Sequence, residues 1–175
     1  VLQQMNEVAQ QSQRALQAFW ERQAKESAEG GFSLMDSSSI SNAFADWSNK
    51  LMQNPAKLVE TQYDFWLEQM KVWQSFATRA AGGETDPAVQ PEPGDRRFKD
   101  PAWNEDVLYD YMKQSYLASA RWMRKVAGSS ENLRPEAQEK VDFYTRQFVS
   151  AMSPTNFVAT NPAVLKKTRE TGGQN

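Results

Sequence analysis

The chain has 175 residues and a formal net charge of −2; 39% of its residues are hydrophobic and 24% are charged. It contains no cysteine and no histidine, which excludes disulfides, thiolate chemistry, a histidine general base and a metal site built on either residue. We therefore expect no catalytic residues, no cofactor and no metal ion in this chain. Its 6 Trp, 9 Phe and 5 Tyr nevertheless supply core material that a disordered chain would lack.

The distribution of apolar and charged residues disfavours two kinds of partner. No apolar run approaches the ~20 residues that a membrane-spanning helix needs, and no signal peptide opens the chain. We therefore expect a cytoplasmic protein without a transmembrane segment. Residues 96–175 hold 13 basic residues, but 9 acidic residues are interspersed among them. Nucleic acid binding requires a clustered basic face, so we expect no nucleic acid partner.

Two helices are predicted in the first fifty residues. Residues 1 to about 27 are rich in Gln, Ala and Glu, which are good helix formers. The apolar face of this segment is weak, so it is better suited to docking on a partner than to forming a core. Gly30 and Gly31 end it. Ser39 is a suitable N-cap for the second helix, whose apolar face holds Ile40, Phe44, Trp47 and Leu51.

A third helix is predicted from Pro55, which suits a first turn, to about Ala81. Its polar face is mixed in sign, which argues against binding to an anionic bilayer. Two interpretations of its apolar stripe stay open: an ordinary core face, or a docking face for another protein, another copy or an apolar particle. The stripe consists of Leu58, Gln62, Phe65, Trp66, Met70, Trp73, Phe76 and Ala80. Our candidate interaction surface consists of Phe44, Trp47, Phe65, Trp66, Trp73 and Phe76.

Residues 82–95 have the composition of an exposed linker. They include three Gly, three Pro and four acidic residues, with almost nothing apolar, a composition typical of semi-stiff linkers. The chain is therefore predicted to comprise an amphipathic helical region at 1–81, a linker at 82–95 and a helical domain at 96–175.

The helical domain is predicted to begin with an extended segment and a long helix. Asp100 and Pro101 form a cap-plus-proline start with Trp103 beneath it, and Asn104 offers a second start. The helix runs to Gly128, with small residues at 115, 118 and 119 that allow another helix to approach closely. Its last turns hold three cations, which suit the negative end of the helix dipole or, alternatively, a phosphate. The apolar stripe is Leu108, Tyr111, Met112, Ser115, Ala118, Ser119, Trp122 and Val126.

Two further helices are predicted, one from Pro135 and a short basic one from Asn161-Pro162. The buried stripe of the first is predicted to hold Ala137, Val141, Tyr144, Phe148 and Ala151. Val and Ile are sparse and never alternate, so no strand is indicated. We predict an all-α protein, in which amphipathic helices form an extended N-terminal arm and a small helical domain follows, without a sheet.

The sequence resembles one known family over residues 96–175. The resemblance depends on Arg97-Phe98, Asp100-Pro101-Ala102-Trp103, the segment from Tyr109 to Leu117, Ala120-Arg121, the run from Phe148 to Phe157, and Thr160-Asn161-Pro162. In this order the segments are similar to the N-terminal region of class I polyhydroxyalkanoate synthases, the bacterial polyester polymerases. The motif residues with an expected structural role are Phe98, Asp100, Pro101, Trp103, Tyr111, Arg121, Ser153, Pro154, Asn156, Phe157, Asn161 and Pro162.

The resemblance implies a parent enzyme that polymerises (R)-3-hydroxyacyl groups from coenzyme A thioesters with release of coenzyme A. That family uses a Cys nucleophile supported by Asp and His, and this chain has neither Cys nor His. We therefore interpret the chain as a fragment that ends before the catalytic domain and is inactive alone.

The resemblance also implies partners for this region. They are the catalytic domain of the same chain, the surface of polyester granules, phasin-like proteins, and a second copy in a homodimer of the full-length enzyme. An alternative from a different class of protein stays open. The chain would then be a free-standing, phasin-like helical coat or adaptor protein of the granule.

Overall fold

The computed structural model describes residues 37–130 and 132–172, and within these ranges it contains six α-helices, one 3₁₀ turn and no strand. The all-α prediction is confirmed. The helices are α1 (Ser37–Met52), α2 (Pro55–Ala80), α3 (Ala102–Glu105), α4 (Val107–Ala127), α5 (Pro135–Ala151) and α6 (Pro162–Glu170), and the 3₁₀ turn is Pro154–Asn156. The helix predicted for residues 1 to about 27 lies outside the described residues.

The chain divides into two compact units, Val1–Asn42 and Ala43–Asn175. The described part of the first unit is residues 37–42, which are helical and form the start of α1. All further description concerns the second unit.

Asparagine and aspartate side chains cap the starts of α2, α4 and α6. The Asn54 side chain accepts a hydrogen bond from the Lys57 amide ahead of α2, and Asn161 accepts from the Ala163 and Val164 amides ahead of α6. Each cap is followed by a proline in the first turn, as predicted. For α4 the predicted start at Asn104 is wrong. Asp106 is the cap, because its carboxylate accepts from the amides of Leu108 and Tyr109.

Helix α4 is the centre of the second unit. α2, α3, α5 and the 3₁₀ turn all pack against it. The main core cluster joins α2, the segment before α3, α3 and α4 through Val72, Val89, Phe98, Trp103, Leu117 and Ala118. The small residues of α4 allow the close approach that was predicted, since the Gln69 side chain donates to the Ser119 hydroxyl at 3.3 Å and to the Ser115 carbonyl at 3.5 Å.

The apolar stripe predicted for α4 is partly wrong. Leu108 is 58% exposed, whereas the polar residues Asp110, Lys113 and Gln114 are buried. The reason is that α4 is covered on two sides: α2 contacts the side that holds Ser115 and Ser119, and the chain between α2 and α4 covers the side that holds Gln114. A prediction from a single amphipathic face cannot describe such a helix.

Residues 82–95 are largely exposed, as their composition predicted. Val89, however, is only 1% exposed, and its amide donates to the buried Gln114 side chain at 3.2 Å. Glu92 pairs with Arg124 of α4 at 3.1 Å. The segment therefore lies along α4. The assignment of residues 82–95 as a domain boundary stays a prediction.

A second, smaller cluster is built on α5. Ala137 and Val141 are buried there with Ala43 and Ala127, as the sequence predicted for the first two. The predictions for Phe148 and Ala151 are wrong, since both are exposed and Val149 is the buried residue there. The Tyr116 hydroxyl donates to the Val149 carbonyl at 2.7 Å, which holds the Val149 side of α5, and not the Phe148 side, against α4.

Candidate interaction surfaces

The outward face of α2 carries a continuous row of large apolar side chains, which we call the α2 stripe. Its members lie four, three, four and three residues apart, which places them along one side of a helix. They are Val59, Tyr63, Trp66, Met70 and Trp73, and each is between 55% and 69% exposed. Such a row is larger than the scattered apolar residues of an ordinary surface and is typical of a docking face.

The inward face of α2 uses the other aromatic residues. Phe65 contacts the Trp122 ring at a centroid distance of 5.0 Å, and Phe76 contacts Tyr111 at 4.7 Å. Val72, which lies between Phe65 and Phe76 in the sequence, is fully buried. α2 therefore has two apolar faces. One packs on α4 and the other is largely exposed, although Trp73 at its end also contacts the Tyr111 ring edge-on at 6.1 Å.

The six candidate surface residues are not brought together on one face. Trp66 and Trp73 belong to the α2 stripe, whereas Phe65 and Phe76 are half-buried against α4. Phe44 and Trp47 pack on the alanine-rich cluster around Val141. The sequence analysis left Val59, Tyr63 and Met70 out of the candidate surface, although their alternating spacing of four and three was the signal that could have found them.

Three cations of α4 are neutralised by carboxylates from outside the helix. Arg121 pairs with Glu68 at 2.6 Å and Lys125 pairs with Asp64 at 2.7 Å, both on α2, and Arg124 pairs with Glu92. The Asp64 carboxylate raises the pKa of Lys125. These pairs fix the orientation of α2 on α4, and they leave little basic surface for a phosphate.

A buried polar network lies on the other side of α4. The Lys113 ammonium group contacts the Asp110 carboxylate at 2.8 Å and donates to the Trp103 carbonyl and the Asn104 side chain. Asp110 also accepts from Arg79 and from Gln114. All three donors of the Lys113 ammonium group thus have acceptors, which is the condition for burying a cation without a large penalty.

The Arg97-Phe98 motif links the extended segment to α4. The Arg97 guanidinium binds both carboxylate oxygens of Asp95 and donates to the Tyr116 hydroxyl at 2.7 Å. It also lies over the rings of Phe98 and Tyr116. The guanidinium holds the pKa of Asp95 below its usual range, and Asp95 in turn raises the pKa of Arg97.

The motif from Ser153 to Pro162 forms a tightly bonded connection after α5, which we call the 153–161 loop. The Asn156 side chain donates to the carbonyls of Ser150 and Ala151 at 2.8 and 3.1 Å. The Asn161 side chain donates to the Thr155 carbonyl, and the Thr160 hydroxyl donates to the Pro154 carbonyl. Ser153, Pro154 and Pro162 are buried, while Phe157 is 48% exposed.

The remaining motif residues have identifiable contacts. Trp103 is 1% exposed and packs edge-on against Phe98 at 5.1 Å. The Asp100 carboxylate accepts from the Ala102 amide across Pro101. Within the described ranges, no helix is long and apolar enough to cross a membrane, and no group of His, Cys, Asp and Glu has the arrangement of a metal site.

The described residues form an all-helical region with exposed apolar surfaces. Residues 94–175 match a family model described as the N-terminus of poly-beta-hydroxybutyrate polymerase (PhaC). The chain belongs to the polyhydroxyalkanoate synthase family and carries the N-terminal region of such an enzyme. The resemblance inferred from the motifs is thereby confirmed.

Similar proteins share the polymerase name. A poly(3-hydroxyalkanoate) polymerase of Methylorubrum extorquens is 39% identical over 124 residues, 71% of this chain and 20% of that protein. The poly(3-hydroxyalkanoate) polymerase subunits PhaC of Rhizobium etli and Cupriavidus necator are 30% and 32% identical over 79% and 69% of this chain, and over 21% and 19% of their own lengths. The chain thus spans about a fifth of these relatives. No solved structure matches it.

Proposed function

We propose that this chain is a non-catalytic part of a cytoplasmic polyester synthase and attaches the enzyme to polyester granules through the α2 stripe. The parent enzyme, as in the family that the chain resembles, would polymerise (R)-3-hydroxyacyl groups from coenzyme A thioesters. The observation that carries the proposal is the row of exposed side chains on α2, five large apolar groups on the solvent face of a helix whose other face is already packed.

Covering the α2 stripe should lower the free energy of the protein, because its exposed apolar area is large. Fully burying a Val, Met or aromatic side chain is worth about 1.5–3 kcal/mol, so a surface that covers even part of the α2 stripe gains substantial free energy. The stripe is also straight, because it follows one side of a single helix of 26 residues. A straight, uniform stripe suits a flat apolar surface as a partner.

The chemistry of the stripe fits a polyester. A polyester chain offers alkyl groups and ester carbonyls, which accept hydrogen bonds but cannot donate them. Tyr63, Trp66 and Trp73 combine apolar rings with O–H or N–H donors, the amphipathic character that suits a boundary between apolar and wet phases. Trp66 and Trp73 are 63% and 56% exposed, so a polymer surface that covers the α2 stripe would bring ester carbonyls within reach of their indole N–H groups.

The charges beside the stripe favour a neutral surface over an anionic bilayer. The charged residues of α2 are mixed in sign, with Glu60, Asp64 and Glu68 beside Lys57 and Lys71, and Asp64 is already paired with Lys125 of α4. A helix that binds anionic lipid would carry an excess of basic residues on its polar face.

The test is a double substitution in the full-length synthase, Trp66→Ala with Trp73→Ala. Because both rings are more than half exposed, their removal should leave the packing of residues 96–170 intact while granule association weakens. We expect the fraction of enzyme that co-sediments with granules to fall by about tenfold, as the loss of one to two kcal/mol of contact would give.

The matched control is Leu108→Ala, which removes a residue of similar exposure on α4 and should leave co-sedimentation unchanged. Trp66→Phe with Trp73→Phe keeps most of the apolar area and removes the N–H donors, so its binding should lie between the wild type and the alanine variant. Undiminished co-sedimentation of the alanine variant would refute the proposal.

Dimerisation and contact with phasin-like proteins are the other roles that the family resemblance implies. We propose the α2 stripe as the surface for these contacts as well, in competition with the granule. In that case the stripe would be covered at high protein concentration even without polymer.

The alternative of a free-standing granule-coat protein receives no support from the comparisons, since the similar proteins are named polymerases. An antibody against residues 96–170 tests it on the native polypeptide. A synthase should give a band several times larger than 19.9 kDa, and a coat protein a band near that mass.

A further inference from the structure

A second exposed apolar surface lies at the carboxyl end of α5 and is separate in sequence from the α2 stripe. Phe148 and Met152 are four residues apart and therefore on one side of the helix end, and they are 54% and 51% exposed. Phe157 and Val158 follow in the 153–161 loop and are 48% and 61% exposed. We call these four residues the α5 patch.

Hydrogen bonds hold the two halves of the patch together. The Asn156 side chain donates to the carbonyls of Ser150 and Ala151 in the last turn of α5. The residues next to Asn156 therefore lie against the end of the helix that carries Phe148 and Met152.

The loop that presents Phe157 and Val158 is fixed on both sides of them. Before them, Ser153 and Pro154 are buried and the Ser153 and Thr155 hydroxyls are 2.8 Å apart. After them, Thr160 bonds to the Pro154 carbonyl and Asn161 to the Thr155 carbonyl. A loop ordered by so many side-chain bonds, with apolar groups at its tip, resembles loops that serve binding.

We propose that the catalytic part of the same polypeptide packs on the α5 patch; this part belongs to the four-fifths of the relatives that the chain does not span. The patch lies within residues 94–175, which the polymerase N-terminus model covers, whereas the α2 stripe lies before them. In a polymerase, a surface inside the matched region is always part of the same polypeptide as the rest of the enzyme. The proposal goes beyond granule attachment and does not depend on it.

The covalent connection between the patch and the rest of the polymerase favours this occupant over a second copy. The patch lies in the region that matches a polymerase N-terminus, and the chain spans only 20% of the Methylorubrum extorquens polymerase. A further segment of the same polypeptide binds intramolecularly, with an effective concentration that reaches about millimolar. A second copy at ordinary protein concentrations cannot compete with it for the same apolar surface.

Two methionines allow a direct measurement in the granule-free, full-length polymerase. Met52 at the end of α1 is 65% exposed and Met152 in the patch is 51% exposed. Hydroxyl-radical footprinting with peptide mass spectrometry reports the oxidation rate of each. We expect Met152 to be oxidised about fivefold more slowly than Met52, since oxidation requires access to the sulfur, and we expect that ratio to be independent of protein concentration.

Phe148→Ser with Phe157→Ser should release the occupant and raise the Met152 rate to that of Met52, while far-UV circular dichroism stays unchanged because both rings are exposed. Leu108→Ser, outside the patch, should leave Met152 protected. Equal oxidation of Met52 and Met152 in the wild type would overturn the proposal. So would protection that disappears on dilution, because it would assign the patch to a second copy. Neither outcome bears on granule binding by the α2 stripe.

Discussion

Asp110 joins three other residues on the buried side of α4. It accepts hydrogen bonds from Arg79 of α2 and from Gln114, and it pairs with the buried Lys113. Gln114 extends the network by accepting from the Val89 amide. One carboxylate therefore connects α2, α4 and the segment between them, and its charge is balanced by two cations.

Replacement of Asp110 should be among the most destabilising changes in the chain. Asp110→Ala leaves the Lys113 ammonium group buried without its counter-charge, which typically costs about 3–5 kcal/mol. Asp106→Ala is the matched control on the same helix, since it removes only a helix cap worth about 1 kcal/mol. Denaturant unfolding followed by circular dichroism measures both. Equal losses for the two variants would contradict this account of the network.

Asp95 should give the stability of the protein a component that depends on pH. Because Arg97 lowers the pKa of Asp95 in the folded protein, the ion pair stabilises the fold above the unfolded pKa of about 4, and this stability is lost as the pH falls through the folded pKa. Asp95→Asn should cost about 0.5–1 kcal/mol at pH 7. The difference from the wild type should shrink below about pH 4.

Urea unfolding at pH 7 and at pH 3 measures this difference. Asp86→Asn, in the same exposed segment, is the control and should match the wild type at both values. A penalty for Asp95→Asn that is the same at pH 3 as at pH 7 would show that the stabilisation does not come from the charge of Asp95.

At the scale of the elements, the caps and prolines of the sequence predicted the helices well. Asn54-Pro55 and Asn161-Pro162 begin α2 and α6 as their chemistry requires. The burial of individual faces was less predictable, because α4 and α2 each have more than one covered or apolar side. Polar residues of α4 are expected to face solvent when the sequence is considered alone. Lys113 is buried because α3 packs over it, and Gln114 because the segment before α3 does.

Substitution of Val89 tests whether residues 82–95 contribute to the stability of the core or only connect α2 to α3. Val89→Ala removes two methyl groups from a site that is 1% exposed and should destabilise the fold by about 1–2 kcal/mol. Gln90→Ala changes an exposed neighbour and should have little effect. Thermal unfolding of both variants measures the difference, and a Val89→Ala variant as stable as the wild type would mean that the segment adds nothing to the core.

At the scale of the whole molecule, exposed apolar side chains form the α2 stripe and the α5 patch, and we propose a different partner for each. The family could be inferred from the motifs because their order and spacing are specific, and the family match confirms it over residues 94–175. The interaction surface could be inferred only in part. Aromatic composition pointed to α2, but a sequence does not show that Phe65 and Phe76 pack on Trp122 and Tyr111 while Trp66 and Trp73 remain more than half exposed.

The most direct test of granule attachment is binding of the purified full-length synthase to bare polyester particles, which removes every protein partner from the experiment. The wild type should bind with little dependence on salt, because the α2 stripe acts through apolar contact and hydrogen bonds. The Trp66→Ala, Trp73→Ala variant should bind about tenfold more weakly. Equal binding of the two proteins would contradict the assignment of the α2 stripe to the polymer surface.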